Sequence, residues 1–568
     1  MLYPALIVLL AAAALCFALG QFVATRMLGL GAALATLVAA GLSGMVGESA
    51  PERTILELYQ LSLHLTPQLA EGERMIALGL LGAGGAALLA LAGALAPAVR
   101  GFGSLFAWAL LTLAAALLSL GAPPLSLAQP LAWALLALAG YGALRASGAT
   151  KTQETPPLGL AAGLLASALL AGGLLASSTL VEADTLPLGL FTLLGFGAAL
   201  LLAGGPPLAI VRSEVAQAPA ALGALIYGVA APTAALAWLL RSVALLPELP
   251  ATWATALGLI GSLGVLACGA AALATHQLRV LLSWVSAGHV AAVVATLGLS
   301  GTEALLAGPG LLLSMLLAVI VAAVAVARFE QTTGSDSYTT GTGGGHPFTG
   351  ALWALGALAL LGLPPFWGFW PRLWLVQSGS LEQPWILAPM LAGLVLTSLA
   401  LLAPLGRLWA TNQPHESGPS WAEAGAALLV AVPLVVLGMR PSLAWDYWLQ
   451  YGSAAPSDLP LDAGLYANVL LASATLFSIS FALLRAQPER KLNLDPDEQA
   501  VALSPAALGT ALYPLARLGD LEPLLRRLWE GITRASELLR FVMGLFEQRY
   551  YLLGVLGALI TIMLLMAQ

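Results

Sequence analysis

Cysteine and lysine are almost missing from this chain of 568 residues, which contains two of each. Cys16 and Cys268 both fall inside apolar runs, so an iron–sulfur cluster, a thiolate zinc site and a disulfide framework all lack ligands. Lys151 and Lys491 lie in polar stretches between the runs. Histidine is also scarce: His64, His276, His289, His346 and His415 offer no pair within a run that would hold haem. No Rossmann or P-loop fingerprint follows a strand, so electron transfer would belong to partner proteins. No cofactor, metal site or catalytic residue is expected in the chain itself. Charged residues make up only 9%, with a net charge of −6 and no basic block, which excludes a nucleic-acid partner.

What is abundant is apolar surface. With 59% hydrophobic residues and a mean hydropathy of +0.91, the chain is too apolar to keep a water-facing surface, so the lipid bilayer is its solvent. A helix crosses about 30 Å of hydrocarbon with roughly 20 apolar residues. About sixteen runs approach that length, from 2–20 and 22–42 to 550–567. The predicted fold class is all-α integral membrane. The first run has no basic segment before it and passes directly into the second, which favours a retained helix over a cleaved signal. Arg26, Arg100, Arg145 with Lys151, Arg212, Arg279, Arg328, Arg407 and the Arg485/Arg490/Lys491 group fall on one face when the runs are counted alternately. That face is expected to be cytoplasmic, which puts both termini on the outer side.

One stretch is of another kind. From 520 to 549, Arg526, Arg527, Glu530, Arg534, Glu537 and Arg540 share one side of a helical pattern, and Leu525, Leu528, Trp529, Ile532, Leu539 and Val542 fill much of the rest. Such a helix, about 40 Å long, is expected along the membrane surface, either as an anchor or as a brace across neighbouring subunits.

Three segments stand out for chemistry. In Thr275–Gly298 a polar turn with His276 and Arg279 leads into a run containing Trp284, Ser286 and His289. His289 is an ionisable group inside a membrane run, a candidate for moving protons; the alternative is a neutral imidazole bonded to a neighbouring helix. In Gly362–Val376, Pro364 and Pro365 break an apolar helix ahead of Arg372. In Pro206–Arg241 a polar turn with Arg212 and Glu214 precedes a run that Pro232 should kink. Pro309, between Gly308 and Gly310, marks a further helix break.

In order and spacing these segments resemble the antiporter-like membrane subunits of respiratory complex I, the membrane-bound hydrogenases and the Mrp-type cation/proton antiporters. The family's PxHxWLPDAxxxAP, DLKRLLAYSSISHMG and GLPPxxGFxxK patterns are matched by Gly205–Pro219, Gln277–His289 and Gly362–Arg372. The resemblance implies two inverted repeats with broken helices. It divides the chain into N-terminal helices (1–121), a first antiporter-like half (122–275), a second half (276–410), C-terminal helices (411–485), a cytoplasmic-side amphipathic segment (486–549) and a final span (550–568).

It also implies a path for protons or cations through glutamate and lysines near the bilayer midplane. Here the family's lysine in the first broken helix falls at Pro232 or Thr233 and its glutamate near Trp133 or Ala134. Its central lysine falls around Gly308–Gly310 and Ser314, and only Arg372 keeps a charge. Arginine stays protonated and cannot readily hand on a proton. The path candidates are therefore His289, Arg372, Arg279, Glu214 and Arg212. The expected function is a non-catalytic membrane-arm subunit of a complex I-like, redox-driven pump in a prokaryotic inner membrane, with an impaired or absent proton path and other membrane subunits as partners. The alternatives are an Mrp-like antiporter or inorganic-carbon-uptake subunit, and a structural scaffold.

Overall fold

The computed structural model describes residues 2–45, 53–58, 61–65, 69, 71–94, 101–148, 157–179, 186–206, 212–245, 251–299, 302–338, 346–408 and 420–444, with isolated positions between 527 and 558. Among these residues, eleven helices are long and apolar enough to cross a membrane. Helices dominate because every backbone N–H and C=O in hydrocarbon must be bonded within its own segment.

The helices in chain order are α1 (Leu2–Leu19), α2 (Thr25–Gly44), α3 (Glu71–Ala94), α4 (Gly103–Gly121), α5 (Ala128–Ala146), α6 (Leu158–Thr179), α7 (Leu186–Ala203) and the short α8 (Arg212–Gln217). A composite helix follows: α9 (Ala220–Gly223), a π-helical turn (Ala224–Ala230) and α10 (Ala231–Leu245). Then come α11 (Ala251–Leu273), α12 (Leu278–Thr296), α13 (Thr302–Thr333), α14 (Pro347–Leu360), α15 (Phe369–Glu382), α16 (Pro384–Leu408) and α17 (Trp421–Met439).

One element departs from the all-helical expectation. Between α2 and α3, β1 (Arg53–Leu58) and β2 (Leu61–Leu65) pair antiparallel as a hairpin. Its sequence, RTILELYQLSLHL, alternates apolar and polar residues with period two over much of its length, which suits a strand.

The bundle is organised around α13, whose run from Leu311 to Val326 is buried and which packs on helices from α3 to α17. α1 sits at the rim, with Ile7, Leu10 and Leu15 at least half exposed, as expected of a lipid-facing helix. Where helices cross tightly, glycine permits it. A Cβ on Gly261 of α11 would lie 2.6 Å from Ala291 O of α12, and one on Gly393 of α16 would lie 2.6 Å from Leu266 N of α11. Lipid supplies no hydrophobic drive for association, so this close backbone approach is what holds α11 between α12 and α16.

Two expected breaks take other forms. Pro232 lies two residues into α10, and the helix runs on through it, because the preceding turn has widened to π geometry with Ala231 N–H reaching Ile226 O. The Thr233 hydroxyl then bonds Val229 O at 2.6 Å, adding a donor where Pro232 supplies none. Pro309 sits inside the continuous α13, so the helix break expected there is absent. It is early in a 32-residue helix, and at its flanking residues Gly308 and Gly310 the side chains of Leu240 and Pro371 pack close to the backbone. By contrast, the chain leaves the helix after Leu360 and resumes it at Phe369, around Pro364 and Pro365.

Residues 521–568 form a second unit. Its described positions from 527 to 540 are helical and exposed; the rest of the amphipathic segment, like the expected span 463–485 and both lysines, lies outside the described residues.

Candidate functional site

His289 and Arg372, 83 residues apart in sequence, meet across the break between α14 and α15. Helix α14 ends with carbonyls that have no partner further along the helix, and Arg372 caps two of them, donating to Leu360 O and Leu361 O. Its second terminal nitrogen also lies 3.2 Å from His289 Nε2. The imidazole is buried, with Nδ1 2.9 Å from Val285 O and Nε2 2.9 Å from Leu360 O. If Nδ1–H donates to Val285 O and Nε2 accepts from Arg372, the ring is neutral and Leu360 O is left to the guanidinium, with no hydrogen bond to Nε2. That tautomer sets a neutral imidazole beside a guanidinium that already donates to two carbonyls. The cavity next to it, about 20 Å³ and lined by Val265, Gly288, Leu311, Met390 and Thr397 among others, has room for one water.

On the other side of α12 lies a second centre. Ser283, Ser286 and Arg279 of α12 line a larger cavity of about 40 Å³ with Gly204, Val215, Tyr227 and Val319. Arg279 donates to Ala218 O at 2.7 Å and pairs with Glu330 and with Asp336, the latter at 3.3 Å. Glu214, buried on α8, accepts from Gly159 N–H at 2.9 Å and from the Tyr227 hydroxyl. Arg212 opens α8. The structure thus brings His289 to Arg372, and sets Arg279 and Tyr227, the hydrogen-bond donor to Glu214, around one cavity on the opposite side of α12.

A third polar centre was not signalled by the sequence. Arg241 of α10 pairs with Glu73 of α3 at 2.9 Å, both about nine-tenths buried. The same guanidinium donates to Ser119 O, Leu120 O and Ala122 O at the end of α4. Gln129 donates to Ser119 O and Ala122 O at 2.8 Å, and Trp133 Nε1 reaches Ser119 Oγ at 3.1 Å. Arg328 and Glu423 form a further buried pair at 2.6 Å, with Glu423 also closing the capping box that starts α17. Neither pair has a local signature, since the partners are 168 and 95 residues apart. Tyr227 was missed because in a membrane run a tyrosine reads as apolar.

Residues 163–399 match the family model described as NADH:quinone oxidoreductase/Mrp antiporter, transmembrane. This segment is similar to that antiporter family. It contains Glu214, Tyr227, Arg279, His289 and Arg372, while Glu73 and Glu423 lie outside it. NADH-quinone oxidoreductase subunit 14 of Thermus thermophilus is 29% identical over 264 residues, which is 45% of this chain and 57% of that subunit. The fold is shared with solved structures at low identity. A chain of the Mrp complex from Dietzia sp. DQ12-45-1b superposes with a TM-score of 0.71 at 17% identity, over 100% of this chain and 63% of that one. A chain of the archaeal membrane-bound sulfane sulfur reductase gives 0.66 at 16% identity, over 84% and 99%. A chain of respiratory complex I from Thermus thermophilus gives 0.65 at 18% identity, over 84% and 100%. The matched segment therefore carries the side chains of both centres that flank α12.

Proposed function

We propose that this protein is an antiporter-like membrane subunit of a multi-subunit assembly of the complex I or Mrp kind, built from two inverted halves and interrupted as a through path for protons. The observation that carries the interruption is the His289–Arg372 contact. The charge at the second break is a guanidinium tied to two carbonyls and an imidazole, which sets a field but does not release a proton. The positions where the family places its midplane glutamate and lysines fall at Trp133 or Ala134, at Pro232 or Thr233, and around Gly308–Gly310 and Ser314, none of which is charged. The chain would work in an energy-transducing prokaryotic inner membrane beside other membrane subunits, with redox chemistry in its partners.

The subunits that purify with the chain in mild detergent test the assembly. Quinone-linked, hydrogenase or cation-antiporter partners select among its kinds, and a chain that purifies alone from its native membrane contradicts the reading. Within the assembly, His289→Ala and Arg372→Ala are expected to leave proton translocation unchanged; near-complete loss with normal assembly would refute the interruption. Deleting 520–549 is expected to weaken assembly more than turnover, and a fully coupled complex without it removes the brace.

A further inference from the structure

Glu214 is placed to receive protons although the path beyond it is interrupted. Its two carboxylate oxygens accept from two donors, Gly159 N–H on Oε1 and the Tyr227 hydroxyl on Oε2, an arrangement that suits the ionised form. Glu214 lines neither neighbouring cavity, whereas Tyr227 lines both. The first cavity holds Arg279, Ser283 and Ser286, and at about 40 Å³ it accommodates more than one water. The second, about 20 Å³, holds Tyr141, Gly159 and Gly163. The charged and titratable groups lining the two cavities are Tyr227 itself on the π turn, Arg279 on α12, and Tyr141, bonded to Arg145, on α5. Helix α6 contributes the Gly159 N–H.

We propose that Glu214 is a one-sided proton acceptor, loaded through the Tyr227 hydroxyl from water in the cavity beside Arg279. A hydronium in that cavity gives its proton to Tyr227 Oη while the tyrosine's own proton passes to Glu214 Oε2. One O–H bond breaks in the hydronium and one in the tyrosine; one forms on the tyrosine and one on the carboxylate. Water and neutral tyrosine remain, and the reverse sequence returns the proton to the same cavity. Protons are thus stored and released at one face, which rests on the interrupted path proposed above.

Gly159 supplies a way to part the pair without removing either group. A Cβ there would collide with the Tyr227 hydroxyl and lie 2.6 Å from Glu214 Oε2. The test is a pH titration of the full chain in lipid nanodiscs by infrared spectroscopy, with the difference between wild type and Glu214→Gln isolating the Glu214 carboxyl band. We expect a titrating band, and a midpoint moved upward by about one pH unit or more in both Tyr227→Phe and Gly159→Ala, because the carboxylate loses a donor. A wild type with no such band overturns the proposal, as do variants with unchanged midpoints. Should Tyr227→Phe fail to fold, Gly159→Ala keeps both functional groups, and the wild-type band decides by itself whether Glu214 takes a proton. Failure here with partner subunits still co-purifying leaves the assembly reading standing; loss of partners with the band behaviour intact removes that reading alone.

Discussion

Arg241 and Arg372 each close the C-terminal end of a membrane helix, one at α4 and the other at α14, by donating to carbonyls that have no further turn to bond. They differ in the remaining partner. Arg241 has the carboxylate of Glu73, so its centre is neutral overall, whereas Arg372 has the imidazole of His289 and no paired carboxylate among the described residues. Burying a pair and burying a lone cation are different problems in a medium that solvates charge poorly. The first arrangement locks α3, α4 and α10 together. The second leaves a standing positive field beside the second helix break, supported chiefly by the dipole at the end of α14.

Removing one partner of the neutral centre should have the largest effect. Glu73→Ala leaves Arg241 buried without a counter-charge and is expected to cost about 3–5 kcal/mol in denaturation of the full chain in detergent. Glu73→Leu combined with Arg241→Met should recover most of that loss, and a double variant as unstable as the single one breaks the comparison. At the other centre, Arg372→Met frees two helix-end carbonyls and removes a lone charge, so the loss should be smaller, about 1–3 kcal/mol in the same measurement. A loss equal to that of Glu73→Ala would show that Arg372 has a buried counter-charge after all. The smallest effect is expected from His289→Ala, about 1 kcal/mol, because a neutral imidazole contributes hydrogen bonds and no charge. A cost above that of Arg372→Met would mean the ring is charged in the folded protein.

The sequence showed the apolar runs because lipid imposes one length on every crossing helix, and that requirement is local. It also singled out His289 and Arg372, since a polar residue inside an apolar run is visible without knowing its partner. The pairs Glu73–Arg241 and Arg328–Glu423 were not legible: each member sits near the end of a run, where a charge looks like loop chemistry. Only the crossing of distant helices turns these residues inward. The hairpin at Arg53–Leu65 did leave a signal, its period-two alternation. Pro309 misled because proline was weighed against an isolated helix, whereas here the helix runs on through it inside a packed bundle.

A π turn holds one residue more than the α-helix around it needs. Deleting one of Gly228, Val229 or Ala230 would let the turn relax to α geometry. All upstream residues would then rotate by about 100° and advance by about 1.5 Å relative to α10. Tyr227 would swing off Glu214 although both side chains remained in the protein. The meeting of hydroxyl and carboxylate is therefore written in the count of residues as much as in their kinds, and a single lost codon in this stretch would erase it while leaving the composition of the helix nearly the same.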